Sequence, residues 1–70
     1  MKIEKIKING EYIRLDSLLK LAGLVGTGGQ AKMVVLDGLV KFNGEECLMR
    51  TKKIRAGDTV EFDGVTILVE

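Results

Sequence analysis

The chain has 70 residues, 46% apolar and 30% charged, a balance that suits one soluble domain, expected to span residues 1–70, and a length that leaves no surface to spare for a second core. It has no histidine, no tryptophan and a single cysteine, Cys47, which excludes an internal disulfide, a Cys-rich zinc site and most acid–base catalysis, so the fold must rest on packing in a reducing compartment. Net charge is only +1, yet Arg50, Lys52, Lys53 and Arg55 place four cations in six positions with no acid among them, while the remainder carries seven basic against ten acidic residues; such a lopsided charge can steer a polyanion without gross stickiness.

The opening Met-Lys-Ile-Glu-Lys-Ile intersperses charge with apolar residues and offers no signal-peptide or membrane-spanning stretch, so a cytoplasmic protein with no membrane contact is expected. Ile6-Lys7-Ile8 alternates, Asn9-Gly10 can supply the two positive φ angles of a type I′ turn, and Glu11 to Arg14 resumes; this reads as a hairpin. From Leu15 the period changes. Leu15, Leu18, Leu19 and Ala22 form the apolar stripe of a short helix, with Asp16 and Lys20 paired at i, i+4 on its wet side. Gly23 stops that helix, and Leu24 can fold back on Leu19 in a Schellman ending.

Thr27-Gly28-Gly29-Gln30 has capping-box spacing: the Thr27 hydroxyl can accept from the Gln30 N–H while the Gln30 amide returns to Thr27. A second helix follows, with Ala31, Val34 and Val35 inward, and closes at Asp37-Gly38 with Leu39 against Val34. Val40 and Phe42 then alternate with Lys41 and Asn43, and Asn43-Gly44 turns into a strand over Glu46 to Met49. After the basic run come a turn at Ala56-Gly57-Asp58, a strand over Thr59 to Phe62, a third hairpin turn at Asp63-Gly64 and a β-branched strand over Val65 to Val69. The fold class is α+β, two short helices packed on one side of a small, mostly antiparallel sheet. Cys47, in an apolar Cys-Leu-Met run, reads as a small buried filler more than a reactive thiol.

Arg14-Leu15-Asp16-Ser17-Leu18-Leu19-Lys20, Ala31-Lys32, Gly38 to Gly44 and Gly57-Asp58-Thr59-Val60 together resemble the S-four RNA-binding domain, named after small-subunit ribosomal protein four, over about Arg14 to Phe62. The run from Lys20 to Val25 followed by Thr27 to Lys32 is similar to short, stand-alone bacterial members, some linked to ribosome maturation. The resemblance implies an αL motif, in which two helices and a following loop dock on folded RNA. One departure stands out. Where many members open the second helix with Ser-Arg-Ser, this chain has Thr27-Gly28-Gly29, so an arginine that would meet RNA is missing.

Structured RNA, ribosomal RNA or a ribosomal particle above all, is therefore the expected partner of a monomeric, non-catalytic chain with no cofactor, metal or small-molecule substrate. The candidate RNA-binding residues are Arg14, Thr27, Gly28, Gly29, Lys32, Arg50, Lys52, Lys53 and Arg55. Cations here would neutralise phosphates, and bare backbone at Gly28-Gly29 would let a phosphate reach free N–H groups at a helix start, against the plainer reading that the pair only caps the helix. Lys32 sits in the first turn, where a cation opposes the helix dipole, which suggests selection for something else. Phe42 and Phe62 read as core, so recognition should follow RNA shape more than sequence. Two rival readings have different chemistry. A protein-interaction module would offer the basic patch to an acidic partner, and a ubiquitin-like sulfur carrier would need a terminal Gly-Gly, whereas this chain ends Ile-Leu-Val-Glu and its Gly28-Gly29 is internal.

Overall fold

A computed structural model describes residues 2–70. Strands β1 (Lys2–Ile6) and β2 (Ile13–Arg14) lead into helices α1 (Leu15–Leu21) and α2 (Gly28–Leu36). There follow β3 (Lys41–Phe42), β4 (Glu45–Glu46), β5 (Lys53–Ile54), β6 (Thr59–Phe62) and β7 (Val65–Val69). Five strands form one sheet in the order β1-β7-β6-β3-β4, antiparallel except for β1 beside β7, and β2 pairs with β5 as a separate ribbon. The expected class holds: two helices on a mostly antiparallel sheet.

Both helices bury the stripes read from the sequence. Leu15, Leu18 and Leu19 of α1 and Ala31 and Val35 of α2 are fully buried, together with Val40, Ile54, Val60 and Ile67 from the strands and connections. At about 25 cal/mol per Å², each leucine or valine of this cluster contributes roughly 1.5–3 kcal/mol by leaving water. Both helices end as expected, with the Leu24 N–H donating to the Leu19 carbonyl and the Leu39 N–H to that of Val34. The α2 capping box is shifted by one residue. Thr27 Oγ1 accepts from the Gln30 N–H at 3.1 Å, but Gln30 Oε1 accepts from the Gly26 N–H at 2.8 Å, one position before the expected return; Ala31 N–H already uses the Thr27 carbonyl.

Of the three expected hairpin turns, two form and one does not. Asn43-Gly44 (φ 51° and 86°) and Asp63-Gly64 (φ 53° and 76°) hold both positive φ angles that a type I′ turn needs, and they join β3 to β4 and β6 to β7. At Asn9-Gly10 only the glycine is in that region, at φ 104°. The expected hairpin over Ile6 to Arg14 is accordingly replaced by two long-range pairings. β1 runs parallel to β7 in the register Ile6↔Val69, and Ile13 and Arg14 lie antiparallel to Ile54 and Lys53. Burial decides this outcome, because Ile6, Ile8 and Ile13 all pack against the core from these positions, and a local hairpin would pair them mainly with each other. The strand expected over Glu46 to Met49 is also shorter and earlier, at Glu45–Glu46; the Cys47 N–H still donates to the Val40 carbonyl, and Leu48 and Met49 leave the sheet. Cys47 is half-buried against the core, with Sγ 3.7 Å from the Met49 carbonyl oxygen.

Candidate nucleic-acid interface

Helix α1 starts without the usual side-chain cap. Its N-cap residue is Arg14, whose side chain accepts nothing from the helix. The first orphan N–H groups are met from elsewhere: Leu15 N–H donates to the Lys52 carbonyl and Asp16 N–H to that of Arg50, both at 2.9 Å, and Ser17 N–H donates to Asp16 Oδ1 at 2.8 Å. Backbone of the basic segment thus caps the first helix. The 50–52 turn is further closed by Lys52 N–H to the Met49 carbonyl, and Ile54, fully buried, anchors the ribbon that continues it.

The same geometry gathers charge. Asp16 is only 7% exposed, so the expected Asp16–Lys20 pair on the wet side of α1 does not form. Its Oδ2 instead meets Arg14 Nη2 at 2.7 Å and Arg50 Nη1 at 3.4 Å. Those guanidinium side chains remain 48% and 44% exposed, which leaves most of each five-donor fork free to face outward. One carboxylate thereby holds two arginines, and the trio keeps a net positive charge. Register places Lys53 directly across from Arg14. Like charges opposite each other in a ribbon are unfavourable, and here the Arg14 charge is offset by Asp16. Lys53 Nζ lies 5.0 Å from the exposed Tyr12 ring, and Lys52 Nζ lies 5.0 Å from the Phe42 ring; contacts of this kind give about 0.5–1 kcal/mol and orient the ammonium groups.

Arg55 is held through its backbone. Asp58 Oδ2 accepts from the Arg55 N–H at 2.8 Å, while Asp58 Oδ1 accepts from Asn43 Nδ2 and Asn43 Oδ1 from the Thr59 N–H. Lys53 and Arg55 have no carboxylate within ion-pair distance among the described residues. Arg14, Arg50, Lys52, Lys53 and Arg55 are therefore assembled by one ribbon and one capped helix start. Phe42 and Phe62 are half-buried against the core, as read.

Thr27, Gly28, Gly29 and Lys32 lie exposed at the start of α2, and the bonds that cap this start, from the Gly26, Gln30 and Ala31 N–H groups, stay local. A Cβ at Gly28 would meet nothing within 4 Å, and one at Gly29 only the Thr27 hydroxyl at 3.9 Å. Neither glycine is demanded by packing. Sequence reading missed two contributors, Asp16 and Tyr12. The signal for Asp16 was present, since an acid between two basic segments has partners beyond its own helix, but a contact across 34 positions is invisible to helical spacing.

Among the described residues no group of three or more His, Cys, Asp or Glu side chains is placed to hold a metal ion, and no helix is long and apolar enough to cross a membrane.

The S4 domain family matches residues 6–70. The chain is 40% identical over 58 residues to the "Putative RNA-binding protein YbcJ" of Escherichia coli (strain K12), with 83% of each chain covered. It is 39% identical over 59 residues to the "Probable ribosome maturation protein RlbA" of Bacillus subtilis (strain 168), covering 84% of this chain and 83% of the relative. The solution structure of E. coli YbcJ, described there as having an αL motif involved in RNA binding, superposes with a TM-score of 0.70 at 32% identity, covering 97% of this chain and 90% of that one.

Proposed function

The chain belongs to the S4 domain family, and from that premise we propose that it is a non-catalytic protein that docks on structured RNA through backbone phosphates. The observation that carries the proposal is the Asp16-centred cluster: two half-exposed arginines on one carboxylate, with Lys53 across the ribbon from one of them. Arg14, Arg50, Lys53 and Arg55 supply the phosphate contacts, since phosphate groups take charge-assisted, forked hydrogen bonds best from guanidinium. Lys52 stands at the edge of this surface, turned to Phe42. The start of α2 is a second contact, where Gly28 and Gly29 leave the first N–H groups of the helix open and Lys32 adds charge.

The similarity to a protein named for ribosome maturation supports ribosomal RNA as the target and the cytoplasm as the place of action. Fluorescence anisotropy with a labelled stem-loop RNA at low salt tests the reading, with an acidic peptide as the rival ligand. Saturable binding of the RNA and none of the peptide is expected. Peptide binding without RNA binding would make the chain an interaction module for an acidic partner.

A further inference from the structure

Beside the basic cluster lies a groove of about 260 Å³ lined by Phe42, Glu45, Glu46, Cys47, Leu48, Met49 and Lys52. Leu48 and Met49 are 53% and 58% exposed, two large apolar side chains left in water immediately before Arg50. An apolar wall joined to a phosphate-binding cluster is matched in chemistry by a nucleotide, whose base is flat and weakly hydrated and whose phosphate is charged. The polar groups of the groove narrow the choice. Glu45 lies across β3–β4 from Phe42, and Lys52 Nζ lies 5.0 Å from the same ring, yet neither side chain forms an ion pair among the described residues. Glu46, the second carboxylate of the lining, turns its carboxylate against Gly38, which leaves Lys52 as a donor and Glu45 as a doubly accepting carboxylate flanking a common apolar surface without neutralising each other.

Resting on the RNA reading above, we propose that this groove takes one unpaired base of the bound RNA, and that the base is guanine. Guanine alone presents a carbonyl oxygen, O6, for an ammonium next to two N–H donors, on N1 and N2, that a carboxylate can accept together. Cytosine would set the N3 lone pair against the carboxylate, uracil offers a single N–H, and adenine has no carbonyl for Lys52. Phosphates grip the molecule in general, and the groove adds one base-specific contact.

The test is nuclear magnetic resonance titration of the isotope-labelled full chain with GMP, AMP, CMP and UMP, with a stem-loop RNA in the same buffer. GMP should shift Phe42, Cys47, Leu48, Met49 and Lys52 and bind at least about fivefold more tightly than the other three nucleotides, as expected for one paired set of base contacts. Glu45→Ala, at an exposed strand position, should abolish that preference while leaving stem-loop binding through Arg14 and the 50–55 segment in place. Equal affinity for all four nucleotides, or GMP shifts confined to Lys53 and Arg55, would overturn the base site alone. Failure of the stem-loop RNA to shift any residue would overturn the RNA reading and the base site with it.

Discussion

At the scale of single residues the decisive side chain is an acid. Asp16 is the least exposed charged group of the described chain, and it subtracts charge from the surface proposed to meet RNA. If electrostatics alone mattered, Asp16→Asn would tighten binding by making the protein more positive. If instead the carboxylate matters by holding Arg14 and Arg50 in place, the substitution should weaken RNA binding several-fold. It should also cost roughly 1 kcal/mol of stability, a modest figure because both arginines are half-exposed and screened. Binding isotherms and melting curves of the single variant separate the two; tighter binding would mean that Asp16 positions nothing. A local reading of the sequence assigned Asp16 to Lys20, because i, i+4 is the only partner that helical spacing can see. Its actual partners are Arg14, two residues back at the N-cap, and Arg50, which follows both helices in the sequence.

At the scale of elements, what was legible followed from local chemistry. Both helices, their glycine ends and the Asn43-Gly44 and Asp63-Gly64 hairpins are specified within a few residues, and all formed. The Asn9-Gly10 pair shows where that reasoning stops, since the same dipeptide becomes a hairpin only if its flanking strands have no better partners. Asn43 can be tested directly: it sits at φ 51° and its side-chain oxygen accepts from the Thr59 N–H. Asn43→Ala should therefore cost about 1–3 kcal/mol in chemical denaturation, from left-handed strain together with a lost hydrogen bond, and a change under 0.5 kcal/mol would mean that the turn relaxes freely. At the start of α2 the sign reverses. Gly29→Ala has room for its methyl group and should raise stability by up to about 1 kcal/mol, or several degrees in Tm for a chain of this size. It should nevertheless weaken RNA binding if a phosphate approaches the bare backbone. Unchanged affinity in a stabilised variant would return Gly28 and Gly29 to plain capping.

At the scale of the whole molecule, β1 closes the sheet by lying parallel to β7, and the 50–55 segment is fixed to the start of α1 by backbone hydrogen bonds. Neither pairing could be read from periodicity, because each joins segments far apart in the sequence, and burial of Ile6 and Ile13 against a shared core selects them. The positive cluster was legible as composition, while its assembly with Arg14 was not. Counterion release puts a number on the grip of that assembly. Each neutralised phosphate should lower log affinity against log salt with a slope of about 0.7–0.9 in magnitude, so replacing Arg50, Lys53 and Arg55 together by glutamine should flatten the slope by about 2–3. Lys53→Gln and Arg55→Gln are exposed substitutions that move stability by less than about 0.5 kcal/mol each, Arg50→Gln adds up to about 1 kcal/mol by loosening its pairing with Asp16, and melting curves verify that the triple variant is folded. The deciding measurement is a salt titration of the wild-type chain and the triple variant on one stem-loop RNA: a flatter slope is expected for the variant, and equal slopes for two folded proteins would place the phosphate grip elsewhere on the molecule.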